Sequence, residues 1–163
     1  VLTDTLTYRT IRLPQDSARA ITYHRDACRA TFGDAEFERH LERPGRYLKN
    51  LAARLEEFPE GHLLAFAGDR CVGQLELQVP YGMSAGYVNL FYVAPAVRRR
   101  GYGRLLQARA EQYFRSWEAS EIELHVSPLN VGAVRFYEAV GYRVSAEEGD
   151  MLLMGKRVSS SPV

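Results

Sequence analysis

Cysteine is scarce in this chain, with Cys28 and Cys71 the only two in 163 residues. Two thiols build neither a disulfide framework nor a four-cysteine zinc site, so a reduced, cytoplasmic setting is the expectation. No apolar run approaches the ~20 residues a membrane-spanning helix requires. Val1-Leu2-Thr3-Asp4 carries neither the cationic start nor the apolar stretch of an export signal. Lysine is nearly missing too: Lys49 and Lys156 are the only two among 21 basic residues. Against 20 acidic residues the formal net charge is +1. That balance argues against a dedicated nucleic-acid binder, which carries a clear cationic excess. A composition of 46% hydrophobic and 25% charged residues excludes intrinsic disorder. The length is that of one domain with one core, so a single domain is expected over 1–163, with 159–163 a frayed tail.

Periodicity orders the elements. Residues 6–13, rich in Thr, Tyr and Ile and stopped by Pro14, predict a first strand. Asp16 or Ser17 can cap a helix in which Ile21, His24 or Arg25, Cys28 and Thr31 recur at helical spacing. A second helix carries Leu48, Leu51, Ala52, Leu55 and Phe58 and ends before Pro59, while the polar stretch 33–46 is open to loop or helix. Residues 62–67 read as a strand covered on both faces. Residues 71–79 alternate, with Leu75 and Leu77 on one face and Gln74, Glu76 and Gln78 on the other; 68–70 form the turn between the two strands. A strand at 87–93, a helix at 101–117 and a strand at 121–126 follow. A helix from Asn130 to a left-handed cap at Gly141 precedes strands 142–145 and 151–158, which flank an acidic loop. The order β-α-α-β-β-β-α-β-α-β-β predicts an α/β fold, one mixed central sheet with helices on both faces.

One segment, 93–104, breaks a local rule. A helix N-terminus carries roughly half a positive charge and four unpaired N–H groups. Carboxylates belong there, and each misplaced cation costs ~0.3–1 kcal/mol. Here Arg98, Arg99, Arg100 and Arg104 crowd the start with no acidic cap, and Gly101 and Gly103 let backbone pass close to a ligand. Unfavourable local choices that agree with one another mark a site. Amides, dipole and guanidinium groups together suit a phosphorylated anion. The competing readings are a solvated basic turn and an arginine-glycine patch for RNA. Neither Gly-x-x-x-x-Gly-Lys-Ser/Thr nor a Gly-x-Gly-x-x-Gly directly after a strand occurs.

Arg98-Arg99-Arg100-Gly101-Tyr102-Gly103 resembles the Gln/Arg-x-x-Gly-x-Gly/Ala signature of the GNAT acyltransferases, with a strand ending Val93-x-Pro95 before it and a long helix after it. About thirty residues on, the stretch from Asn130 through Ala133, Tyr137 and Gly141 to Tyr142 resembles that family's second block, Asn-x-x-Ala-x-x-x-Tyr-x-x-x-Gly-Phe. The resemblance implies the GNAT-like fold, with a mostly antiparallel sheet, and transfer of an acetyl group from acetyl-CoA directly to a primary amine. It implies that the strand end Phe91, Tyr92 and Val93 lines the cofactor. There, backbone groups of Phe91 and Val93 would pair with the pantetheine as peptides add to a sheet edge. An N–H of that strand would stabilise the tetrahedral intermediate. Arg98, Arg99, Arg100, Gly101, Tyr102, Gly103 and Arg104 would hold the pyrophosphate, and Asn130 the pantetheine arm. Tyr137 would be the general acid beside the sulfur, since a phenol with pKa about 10 can give a proton to a departing thiolate.

The general base is less well marked. Some family members carry a glutamate five residues ahead of the asparagine; this chain has His125 there, and an imidazole suits proton uptake near pH 7. Glu123, on the same strand face, and Glu76 are the other candidates. Read without the family, Asn130 is an ordinary N-cap, Tyr137 a core aromatic, and the three base candidates solvated or hydrogen-bonded structural residues. His24 and Cys28, one turn apart, lack convergent partners, so no metal is expected. The amine acceptor is expected between 33–46 and 147–150, where Asp34, Glu36, Glu38, Glu147, Glu148 and Asp150 favour a cation. The alternative function is a non-catalytic acyl-CoA-binding or regulatory module on the same fold. Homodimers are common in the family, and a homodimer is open here.

Overall fold

The computed structural model describes residues 5–158. In chain order the elements are β1 (Leu6–Thr10), α1 (Ser17–Phe32), α2 (Phe37–His40), α3 (Pro44–Glu57), β2 (His62–Ala67), β3 (Arg70–Gln78), β4 (Ala85–Val93), α4 (Tyr102–Ser116), β5 (Glu121–Val126), α5 (Val131–Ala139), β6 (Arg143–Glu148) and β7 (Met151–Arg157). The strands form one seven-stranded sheet in the order β1-β2-β3-β4-β5-β7-β6. Every neighbouring pair is antiparallel except β4 and β5. This is the mixed, mostly antiparallel sheet with helices on both faces that the sequence predicts.

Alternation along the strands divides the apolar side chains between two layers. Leu75 and Leu77 of β3, with Ile122 and Leu124 of β5, share a core with Leu106, Ala110 and Phe114 of α4. On the opposite face Leu64 of β2 meets Ala20 of α1 and Tyr47 and Leu51 of α3. Each large side chain so buried contributes about 1.5–3 kcal/mol. Because helices cover both faces, the central polar residues of β3 are not solvated: Gln74 and Glu76 are as buried as their apolar neighbours, while Gln78 at the strand end is half-buried.

Several boundaries differ from the expectation. β1 stops at Thr10. Asp16 stands at the start of α1 but does not cap it. Its carboxylate accepts from both terminal nitrogens of Arg9, at 2.7 and 2.8 Å, and from the Arg12 N–H at 2.7 Å. The Arg9 guanidinium accordingly holds the Asp16 carboxyl below the usual carboxylate range. Within 33–46, Phe37 is buried and draws the Arg25 and Arg29 guanidiniums over its ring, which anchors the single turn α2. β6 extends to Glu148, which pairs with Met151, so the predicted acidic loop shrinks to the turn Gly149-Asp150. Trp117 ends the α4 stripe 45% exposed. The predicted tail, 159–163, lies outside the described residues.

Candidate active site

β4 and β5 run side by side for only three rungs, from Ala85↔Glu121 to Tyr87↔Glu123, and then part. The cause lies on β4. Its pairing with β3 passes from Leu77↔Val88 to Glu76↔Leu90, so Asn89 is an extra residue that bends the strand. Beyond the bulge, the Ala94 N–H bonds Val72 O at 2.8 Å. Counting back by two, Tyr92 and Leu90 spend their backbone groups on β3, while Phe91 and Val93 aim theirs at the opened edge. The Val93 carbonyl accepts from Arg98 Nε at 2.9 Å. Tyr92 faces the other layer, where its hydroxyl donates to Asp26 at 2.7 Å.

The opened edge leads into the arginine segment. The Arg98 N–H turns back to Pro95 O, and the Arg104 N–H bonds Gly101 O. Between them the amides of Arg99, Arg100, Gly101 and Gly103 have no partner among the described residues. Arg99 and Gly101 are both left-handed, with φ of +66° and +87°. Left-handed backbone of this kind is how anion-binding nests are built, and only the glycine adopts it without cost. The side chains of Arg99, Arg100 and Arg104 are exposed and form no ion pair among the described residues. The Arg98 guanidinium lies over the Tyr92 ring. Gly103 is set against Phe136, where a Cβ would come within 3.0 Å of the ring.

On the far side of the opening, α5 starts at Asn130, whose Oδ1 accepts from the Ala133 N–H at 3.3 Å. The cap uses only the oxygen; the Nδ2 donors have no partner among the described residues. Two turns on, Tyr137 is 8% exposed and packs edge-on to Phe91 and Tyr142. Its hydroxyl makes no hydrogen bond among the described residues, and burial pushes its pKa up. The phenol therefore stays protonated at neutral pH.

The three base candidates sit in different surroundings. Glu76 is 1% exposed and fully engaged, accepting from Tyr47 Oη and Arg54 Nη2, each at 2.6 Å, and from Gln74 Nε2 at 2.9 Å. Glu123 sits half-buried at the last β4–β5 rung. His125 is held at both ring nitrogens: Nδ1 is 2.6 Å from Tyr87 Oη and Nε2 is 2.7 Å from Glu148 Oε2. Sequence reasoning missed Tyr87 and Glu148 as partners of His125. They stand 38 and 23 positions away in the chain, and no local pattern links them. His24 stacks on Tyr47 and the Cys28 thiol reaches Phe37 O, so these two side chains serve packing.

Beside His125 a cleft of about 480 Å³ opens between the end of α1, α2, the β5–α5 loop and the β6–β7 turn. Phe32, His40 and Leu129 supply apolar and aromatic surface, and Glu36, Glu147 and Asp150 supply carboxylates. Of these carboxylates Glu36 is paired with Arg39, and the other acidic residues near the cleft are committed too: Asp34 to Arg29, Glu38 to Arg25 and Glu148 to His125.

Among the described residues no helix is long and apolar enough to cross a membrane. Comparison with solved structures finds the same fold in an N-acetyltransferase, PaiA, from Thermoplasma acidophilum, in complex with coenzyme A. Its TM-score is 0.79 at 21% identity, over 94% of this chain and 99% of that one. Spermidine N-acetyltransferase from Vibrio cholerae, in complex with CoA and spermine, gives a TM-score of 0.71 at 20% identity, over 94% of this chain and 95% of that one. In sequence, a mycothiol acetyltransferase from Gordonia bronchialis is 31% identical over 136 residues, covering 78% of this chain and 44% of the relative. The chain thus spans less than half the length of that curated relative. Residues 22–142, which contain both motif blocks, the opened strand pair and His125, match the acetyltransferase (GNAT) family, and the chain belongs to it.

Proposed function

We propose that this protein transfers the acetyl group of acetyl-CoA to a primary amine. The observation that carries the reading is the edge of β4 beyond its last β5 rung, running straight into a set of amides that have no partner among the described residues and are ringed by arginines. The backbone groups of Phe91 and Val93 that face the opening would pair with the pantetheine as a neighbouring strand does. The amides of Arg99, Arg100, Gly101 and Gly103 and the exposed guanidiniums of Arg99, Arg100 and Arg104 would bind the pyrophosphate. The spare Nδ2 donors of Asn130 would reach the pantetheine amides. An N–H of β4 next to the bulge would take up negative charge on the acyl oxygen.

Tyr137 then delivers its proton to the departing thiolate. Among the described residues the hydroxyl has no competing partner, and the phenol stays protonated until the sulfur becomes basic. Of the three base candidates His125 is the one assigned, since Glu76 is sealed beneath α3 and satisfied. Glu123 contributes negative charge beside it. The cleft is assigned to the acceptor, whose cationic amine the carboxylates of Glu147 and Asp150 attract, Glu36 being paired with Arg39. A reducing cytoplasm suits the two free thiols.

Calorimetry with CoA, followed by turnover of acetyl-CoA with a panel of diamines, peptides and aminoglycosides, tests the reading. Tyr137→Phe is expected to lower kcat by about 10²- to 10⁴-fold while leaving CoA affinity unchanged. No heat with CoA removes the cofactor assignment. Binding without turnover of any amine leaves the non-catalytic module instead.

A further inference from the structure

We infer that Tyr87, His125 and Glu148 act as one proton relay, entered at the Tyr87 hydroxyl and positioned by Glu148; this rests on His125 being the base. Three strands converge to make it. Tyr87 stands on β4 at the last rung before the strands part, and His125 lies two residues past that rung on β5. Glu148 ends β6 and reaches over β7, which lies between β6 and β5 in the sheet.

For the neutral ring the hydrogen-bond chemistry admits one assignment. A carboxylate only accepts, so Glu148 takes the hydrogen of Nε2–H. That leaves Nδ1 with its lone pair, and the Tyr87 O–H donates into it at 2.6 Å. The basic atom of His125 is therefore covered by the Tyr87 hydroxyl. The acceptor's ammonium gives a proton to the Tyr87 oxygen as the Tyr87 proton passes to Nδ1, which frees the neutral amine to attack the acyl carbon. The imidazolium that results lies between the Tyr87 oxygen and the Glu148 carboxylate, and one proton has moved in total. His125, with its side chain 31% exposed, returns that proton to solvent.

The surroundings suit such a chain. The other charged group facing it is Glu123, on β5 itself; on β7, His125 is opposite Leu153 and Glu123 opposite Gly155, neither of which competes. Burial raises the Tyr87 pKa, the hydrogen bond to His125 offsets part of the rise, and the Glu148 and Glu123 carboxylates add to it; the net direction is upward, so the hydroxyl holds its proton until Nδ1 takes it. Ser127, two residues after His125, and Gly149, which follows Glu148, line the acceptor cleft, so the chain runs from the relay into the cleft wall within two residues on both sides.

Nitrogen-15 NMR of the wild-type chain labelled at histidine reads the relay without any acceptor. His125 should carry its proton on Nε2, and Tyr87→Phe should shift the Nδ1 resonance. A proton on Nδ1 in the neutral ring overturns the proposal. Kinetics with acetyl-CoA and the amine of the panel turned over fastest provide the second arm. Tyr87→Phe should lower kcat by about 10²-fold with the KM for acetyl-CoA unchanged. Adding His125→Ala to it should cost little more, as for residues that act as a unit. Glu148→Gln should lower kcat about tenfold and Glu148→Asp should restore most of it. Full activity in His125→Ala overturns the base assignment. Loss in His125→Ala with full activity in Tyr87→Phe overturns the relay alone.

Discussion

The hydroxyl of Tyr87 lies 2.6 Å from Nδ1 of His125, at the point where two parallel strands stop pairing. The contact exists because β4 and β5 are still in register at Tyr87↔Glu123 and have opened by the next turn of the pleat. A longer β4–β5 ladder would fill the edge with strand-to-strand hydrogen bonds. A shorter one would let Tyr87 and His125 drift apart. The same local departure from regular sheet thus serves both the proposed cofactor groove and the proposed base.

Asn130 has two jobs that substitution can separate. Asn130→Asp keeps an oxygen to accept from the Ala133 N–H but loses the Nδ2 donors. Asn130→Ala loses both and should destabilise the protein by about 0.5–2 kcal/mol. Thermal melts should therefore fall only for the alanine variant, whereas the KM for acetyl-CoA should rise in both. A normal KM in Asn130→Asp confines the residue to capping.

Gly86 sits on the middle rung of the β4–β5 pairing, and a Cβ there would collide with the Phe114 ring. Phe114 is fully buried, so the ring has nowhere to retreat. Gly86→Ala should cost roughly 1–3 kcal/mol by overpacking. Phe114→Leu in the same chain should recover part of it, visible as non-additivity in urea denaturation. Additive losses reject the steric account.

Stability should fall on mild acidification. His62 is fully buried, and burial lowers its pKa, as it does that of half-buried His24. The unfolded chain then binds more protons than the folded one once pH drops through the ordinary histidine range near 6.5. Stability is full above that range and declines below it. His62 donates its Nδ1 hydrogen to Phe58 O at 2.8 Å, a bond His62→Asn can imitate without titrating. Urea midpoints between about pH 8 and 5.5 should show a shallower decline in that variant. Asp16, with its lowered pKa, adds a separate loss at lower pH, as its stabilisation vanishes on protonation.

Much of the fold was legible because it is written locally. The helical stripe of α4, the Asn130 cap and the strand runs of β2, β3 and β5 each lie within a few residues, where period and capping chemistry operate. Asp16 was misleading because it has the right type for a cap and a stronger partner in Arg9. The β6 strand was cut short because Glu147 and Glu148 resemble loop residues until their pairing with β7 is seen.

The sequence by itself determined the order of elements, the arginine-glycine entrance to α4 and the Asn130 to Tyr137 spacing, since all are short-range. Only the tertiary structure decided that Glu76 is sealed and satisfied, that β4 and β5 part after three rungs, and that Tyr87 and Glu148 close on His125 from two other strands. Those outcomes depend on register and on which layer covers each face. Register and covering layer are collective properties of the packed sheet, carried by no single stretch of chain.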